Sequence, residues 1–220
     1  MDQKANNVAD MNELMKVLSH VESLIDTGRD DSEIVPLCEQ VTKRWRKNDL
    51  EKVRQDFEAR TDSKSRLAIA DFLNYRLFVS DNPAVEIYRN LKLAAEHPEP
   101  QERAMFQLGC CMKYGWACKA DPEQAFQWFS RAAERSYADS IYALAEIYAQ
   151  RKNWAEAEAS FRKFLTERPD DYDALTALAT LCLKQKAKKE EACEYLRRAV
   201  RVNPYGSEAR KLLKKYFPGK

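Results

Sequence analysis

Residues 102–206 repeat a pattern of small and large apolar side chains every 34–36 positions, and that interval leaves few folds open. The pair Leu108-Gly109 recurs as Leu144-Ala145, 36 residues on, and as Leu178-Ala179 after a further 34. A second set keeps step with it: Ala125, Ala157 and Ala192, then Trp128, Phe161 and Leu196. Within each unit the apolar residues fall at three- and four-residue spacing, pause at a short polar turn, and resume, so each unit predicts two helices joined as a hairpin. Pro169 and Pro204, 35 residues apart, end two of these units. Proline lacks the N–H that a helix interior needs and clashes with the preceding turn. Antiparallel helices approach closely only where side chains are short. Gly109, Ala145 and Ala179 are therefore expected at one crossing and Ala125, Ala157 and Ala192 at the other, with the larger residues filling between. A hairpin of this length cannot bury its apolar face alone and must stack on neighbours.

These residues resemble known repeats. Residues 138–171 are similar to a tetratricopeptide repeat through Ile141, Leu144, Ala145, Tyr148, Ala157, Phe161 and Pro169. Residues 172–206 resemble a second, with one extra residue in the lysine-rich turn KQKAKKE and Cys182 where an aromatic is usual. Residues 102–137 resemble the related Sel1-like repeat through Leu108-Gly109, Gly115, Asp121, Ala125, Trp128 and Ala132-Ala133. Two places depart from that pattern: Ala117 replaces the second turn glycine, and Ser136 the glycine before the next repeat. The resemblance implies an all-α, right-handed helical-hairpin solenoid whose first helices line a concave groove.

Upstream the repeat fades. Asn82 and Pro83 make a good helix start, as N-cap and first helical residue. The helix should run over 84–96 and stop at the breaker HPEP. With a helix over 66–78 it forms a degenerate repeat, residues 63–101. Residues 1–62 read as helices over about 8–27, 33–47 and 49–59, without repeat signature; Gly28 stops the first and Pro36 sits in the first turn of the second. They either cap the stack or form a separate bundle, and RTDSKS (60–65) is the expected linker. Residues 207–220 should add a C-terminal capping helix over 207–217.

Composition narrows the function. In 220 residues, 37 basic and 35 acidic side chains nearly cancel, so whole-chain charge points to neither nucleic acid nor membrane. No apolar run approaches the roughly 20 residues of a membrane span, and the polar start lacks a signal-peptide core. A soluble, cytoplasmic protein is expected. Its six cysteines then read as free thiols: Cys38, Cys182 and Cys193 fall among apolar or small residues and act as small hydrophobes. Cys110, Cys111 and Cys118 lack the spacing and the nearby histidine of a zinc site. The two histidines, His20 and His97, lie far apart, and no glycine-rich phosphate loop or hydrolase motif occurs. The acidic pairs Asp30-Asp31 and Asp170-Asp171 precede helices, where they favour the positive helix end. No catalytic residue, metal, cofactor or small-molecule substrate is expected.

A binding surface suits the architecture better. Carried through the matched register, the groove side of the first strong repeat would show Arg103, Phe106, Gln107, Lys113 and Tyr114. The next would show Asp139, Tyr142, Glu146 and Gln150, and the one after it Thr176, Thr180 and Lys184. The last helix would add Lys211 and Lys215, making the groove aromatic and polar at one end and basic at the other. Phe106 and Tyr142 either face this groove or pack between repeats. Some tetratricopeptide domains clamp a partner's C-terminal carboxylate; the corresponding positions here hold Phe106, Cys110, Ala143 and Ala177, so no such clamp is expected. The expected function is a non-catalytic scaffold, adaptor or partner-specific chaperone that takes a peptide or helix of another protein. Two alternatives stay open. The basic end, residues 186–220 with eleven Lys/Arg and four Glu, could contact nucleic acid or an anionic membrane. Cys110, Cys111 and Cys118 could serve a divergent metal or redox protein.

Overall fold

The structure, a computed structural model, describes residues 2–27, 29–184 and 188–218, and the side chains from residue 10 onward. The expected stop at Gly28 and the extra residue of the KQKAKKE turn lie outside the described residues. Among the described residues there are twelve helices and no strand. The chain divides into two compact units, residues 1–125 and 126–220.

The first unit holds α1 (Asp2–Asp26), α2 (Asp31–Arg44), α3 (Lys47–Arg60), α4 (Ser63–Asn74), α5 (Pro83–Glu96), α6 (Glu102–Tyr114) and the first turn of α7 (Pro122–Glu134). Several of its helix starts are set by side-chain caps. Asp30 accepts from the Ser32 N–H and Asn82 from the Val85 N–H, each satisfying a donor that the first helical turn leaves open. The Asp30 cap starts α2 two residues earlier than expected, so Pro36 lies beyond the first turn, inside the helix. Leu14, Leu18 and Val21 of α1, Ile34 and Val41 of α2, and Val53 and Phe57 of α3 share one core with Ile69, Phe72 and Leu73 of α4. α1, α2 and α3 thus share the core of the unit with α4 and are not a bundle of their own. The expected linker is a tight junction. Thr61 takes a left-handed conformation at φ 58°, Asp62 caps α4 by accepting from the Ser65 N–H and hydroxyl, and Ser63 and Ser65 are buried.

The second unit holds the rest of α7, then α8 (Ala138–Gln150), α9 (Trp154–Glu167), α10 (Tyr172–Lys184), α11 (Lys189–Val202) and α12 (Ser207–Tyr216). α8 pairs with α9 and α10 with α11; α9 packs on α10, and α12 on α11. The small-residue register holds: Ala145, Ala157, Ala179 and Ala192 are fully buried, as are Leu178 and Leu196, with Phe161 nearly so. Gly109 and Ala125 are buried in the first unit. Both non-glycine departures from the Sel1-like pattern adopt the left-handed backbone that glycine would take, Ala117 at φ 57° and Ser136 at φ 63°. Backbone geometry therefore persists where the permissive residue has been lost.

α10 and α12 also meet through an aromatic ring. A Cβ at Gly206 would come within 2.4 Å of the Tyr172 ring, so glycine is what lets the ring lie there. The Tyr172 hydroxyl accepts from the Ala209 N–H at 3.1 Å. It thereby supplies the N-terminal cap that Gly206, lacking a side chain, does not.

Candidate functional site

Four helices of the second unit surround a depression of about 520 Å³. From α8 come Tyr142, Glu146, Ala149 and Gln150; from α9, Trp154 and Phe161. From α10 come Tyr172, Asp173, Thr176, Ala177, Thr180, Leu181 and Lys184, and from α12, Glu208. First helices of successive hairpins contribute most of the lining because stacking sets α8, α10 and α12 in order. Their side chains recur at one register: Asp139, Asp173 and Glu208 are spaced by 34 and 35 residues.

The floor is aromatic. The half-buried Tyr142 ring meets Phe161 edge-on at 5.5 Å and Phe164 at 5.1 Å, so it both packs on α9 and faces the depression. Its hydroxyl is pushed up to about 12, first by burial and then by the carboxylates of Glu146, Asp173 and Asp171. At one edge the Lys184 ammonium sits 3.8 Å from the centre of the Trp154 ring, a cation held by an aromatic face. Thr176 and Thr180 turn their hydroxyls back to the carbonyls of Tyr172 and Thr176, four residues earlier. Their donors are thus spent within α10, and they offer the depression methyl groups and acceptor oxygens.

Of the residues expected in the groove, Tyr142, Glu146, Gln150, Thr176, Thr180 and Lys184 converge here. Asp139 does not line the depression and pairs with Arg168 at 2.8 Å. Lys211 and Lys215 are exposed on α12 but are not lining residues, and α12 brings Glu208 instead. The lining therefore carries Glu146, Asp173 and Glu208 against Lys184, which differs from the basic end expected of it. Trp154, Tyr172, Asp173 and Glu208 line the depression without being among the expected residues. For Asp173 and Glu208 the repeat register was the available signal, since each comes whole repeats after Asp139.

In the first unit, Arg103 of the expected set is turned inward. Arg103 donates to both carboxylate oxygens of Asp71, at 2.9 and 2.6 Å, and reaches Asp26 at 2.9 Å. The Arg103 side chain is 13 % exposed and that of Asp71 5 %, so this is an interior ion pair between α4 and α6. Gln107 also hydrogen-bonds Asp71. Phe106 and Lys113 are partly buried, with the Lys113 ammonium 5.2 Å from the Tyr114 ring. Tyr114 is exposed and stacks on Trp116 at 5.0 Å.

A second polar cluster holds α9 to α11. Glu158, buried, takes the Lys188 ammonium at 2.6 and 2.7 Å and Arg162 at 3.0 Å, and Arg162 reaches Glu191 at 2.5 Å. The carboxylates raise the Arg162 pKa further, keeping it a fixed cation. The cysteines are free thiols, with Cys38, Cys111, Cys182 and Cys193 buried. Burial pushes Cys38, Cys111 and Cys182 up to about 11, which keeps them protonated and poor nucleophiles at neutral pH. Among the described residues no group of three or more His, Cys, Asp or Glu is placed to hold a metal ion. Nor, among them, is any helix long and apolar enough to cross a membrane.

Comparison with known proteins agrees with this geometry. The Sel1 repeat profile matches residues 102–137, and tetratricopeptide repeat profiles match residues 138–181 and 172–205. No curated protein sequence matches the chain. Among solved structures, a protective antigen of uropathogenic Escherichia coli displaying an SLR fold superposes with a TM-score of 0.60 at 18 % identity, over 86 % of this chain and 46 % of its own. This chain thus spans under half the length of that antigen. A Sel1 repeat protein from Oxalobacter formigenes gives 0.60 at 18 % identity, over 77 % of this chain and 73 % of its own. YrrB, described as a TPR protein with an unusual peptide-binding site, gives 0.53 at 14 % identity over 88 % and 96 %. The chain is an all-α protein of stacked helical hairpins that carries one Sel1 repeat followed by two tetratricopeptide repeats.

Proposed function

We propose that this protein is a protein–protein interaction module that takes a peptide or helix of a partner in the concave depression of its second unit. The observation carrying the reading is that α8, α9, α10 and α12 converge on one open aromatic floor. Repeats of this kind are interaction modules, and aromatic anchors beside polar groups are the side chains enriched where proteins bind. Roles as scaffold, adaptor or partner-specific chaperone all use such a surface. A contact with nucleic acid or anionic membrane would instead use the exposed lysines of α12, which lie outside the depression.

The test is site-specific photo-crosslinking in cells. A photoreactive residue at Gln150 or Thr180, inside the depression, should capture a defined protein adduct. The same residue at Lys163, exposed on α9 and not lining the depression, should not. Identical adducts from all three positions, or none from Gln150 and Thr180, would refute the assignment.

A further inference from the structure

Tetratricopeptide register sets one acidic residue near the start of each first helix: Asp139 on α8, Asp173 on α10, Glu208 on α12. Asp139 is neutralised by Arg168. Asp173 and Glu208 are exposed and face the depression. Against Asp173 and Glu208 the lining offers, among the described residues, one cation, Lys184, and that cation is already laid on the Trp154 face. The sign is local. Residues 126–220 as a whole carry 19 Lys/Arg and 13 Asp/Glu, so an acidic depression is set in a basic body.

We propose that the depression recognises a partner segment bearing lysine or arginine, whose cation lies over the aromatic floor beside Asp173 and Glu208. The inference rests on the groove reading above and specifies the chemistry of its occupant. Two features support it. An ammonium or guanidinium gains both from nearby carboxylates and from an aromatic face. The Lys184–Trp154 contact shows this very surface holding a cation. The pKa of the Tyr142 hydroxyl is raised first by its burial and then by neighbouring carboxylates, Asp173 among them. An acidic segment would meet like charge at Asp173 and Glu208, and like-charge juxtaposition is how interfaces reject wrong partners.

Lys184 then acts as an internal competitor, which makes the proposal testable in two directions. A random peptide library displayed on phage is selected against the full chain. Selected peptides are then measured by fluorescence anisotropy against wild type, Asp173→Asn/Glu208→Gln, Lys184→Ala and Thr180→Trp. The substituted sites are exposed or half-exposed, and circular dichroism checks that each variant keeps its helices. Selected peptides should be enriched in Lys and Arg. Neutralising both acids should weaken binding about tenfold or more, with a loss that shrinks at high salt, since close charge pairs contribute on that order. Lys184→Ala should tighten binding, and Thr180→Trp, which fills the depression, should abolish it. Peptides that are neutral or acidic, yet lost in Thr180→Trp, would overturn the cation inference while leaving the groove reading in place. Binding indifferent to Thr180→Trp, or no selected peptide, would overturn both.

Discussion

Replacing Arg103 by methionine keeps the length of the side chain, removes its charge and strands a buried carboxylate. Asp71 is left in the interior of the first unit with a side chain 5 % exposed. Its two guanidinium bonds, at 2.9 and 2.6 Å, are gone, and Gln107 still hydrogen-bonds it. Breaking a buried pair from one side costs about 3–5 kcal/mol, because the remaining charge is uncompensated. Asp26 adds little, since it is more than half exposed and water screens its link to Arg103. The double variant Arg103→Met/Asp71→Leu removes both charges and should recover to within about 2 kcal/mol of wild type, as apolar replacements of buried pairs do. Urea titrations followed by circular dichroism, with hydrogen exchange of the α4 and α6 amides to localise the loss, give all the values for the cycle.

The pH dependence carries the sign. Burial already raises the Asp71 pKa above 3.8, and the Arg103 bonds oppose that rise. Without them the native state favours the neutral carboxyl more strongly. The native variant then binds more protons than its unfolded chain, so its stability is greatest below the unfolded value near 3.8 and falls as pH rises through the native one. Arg103→Met should therefore approach wild type near about pH 4 and fall away towards about pH 7. A single variant within about 0.5 kcal/mol of wild type at neutral pH, the range of ordinary surface changes, would refute the interior-pair assignment. So would parallel pH profiles for the two proteins.

Ala117→Gly and Ser136→Gly should each stabilise the protein by about 0.5–1 kcal/mol in chemical denaturation, because both residues occupy the left-handed region at φ 57° and 63°. Trp128→Ala should cost about 3–5 kcal/mol in the same assay, since the side chain is buried and the Arg131 guanidinium, 4.4 Å from its ring, loses its support. Gly206→Ala should lower the melting temperature more than Tyr172→Phe does. The first drives a methyl into the Tyr172 ring, whereas the second removes only a hydroxyl cap worth about 1 kcal/mol. Native protein treated with a thiol reagent at neutral pH should leave Cys38 and Cys182 unmodified until urea unfolds it; rapid labelling of either would contradict their burial.

The first-unit groove residues show why part of the candidate site could not be read in advance. Arg103 and Asp71 are 32 residues apart and share no periodic signal, so nothing local marks them as partners. Read along α6 alone, Arg103 falls on the groove side. The packing of α4 against its neighbours turns it into an interior counter-ion. The depression's sign was hidden for a related reason. Lys211 and Lys215 are the prominent charges in a linear reading of the last helix, yet the first turn of α12 presents Glu208 to the depression.

Amino-acid order by itself determined the α8–α9 and α10–α11 hairpins, the small residues buried at Ala145, Ala157, Ala179 and Ala192, and the capping at Asn82. These rest on helical spacing, on the size of a side chain at a close approach and on donors left open at a helix end, all of which act within a few residues. Tertiary structure alone decided that α1, α2 and α3 share a core with α4, that Arg103 is interior, and that Asp173 and Glu208 line the depression while Lys211 and Lys215 do not. Each of those depends on which faces meet when helices far apart in sequence are packed together, and burial then determines which charges are paired and which still face solvent.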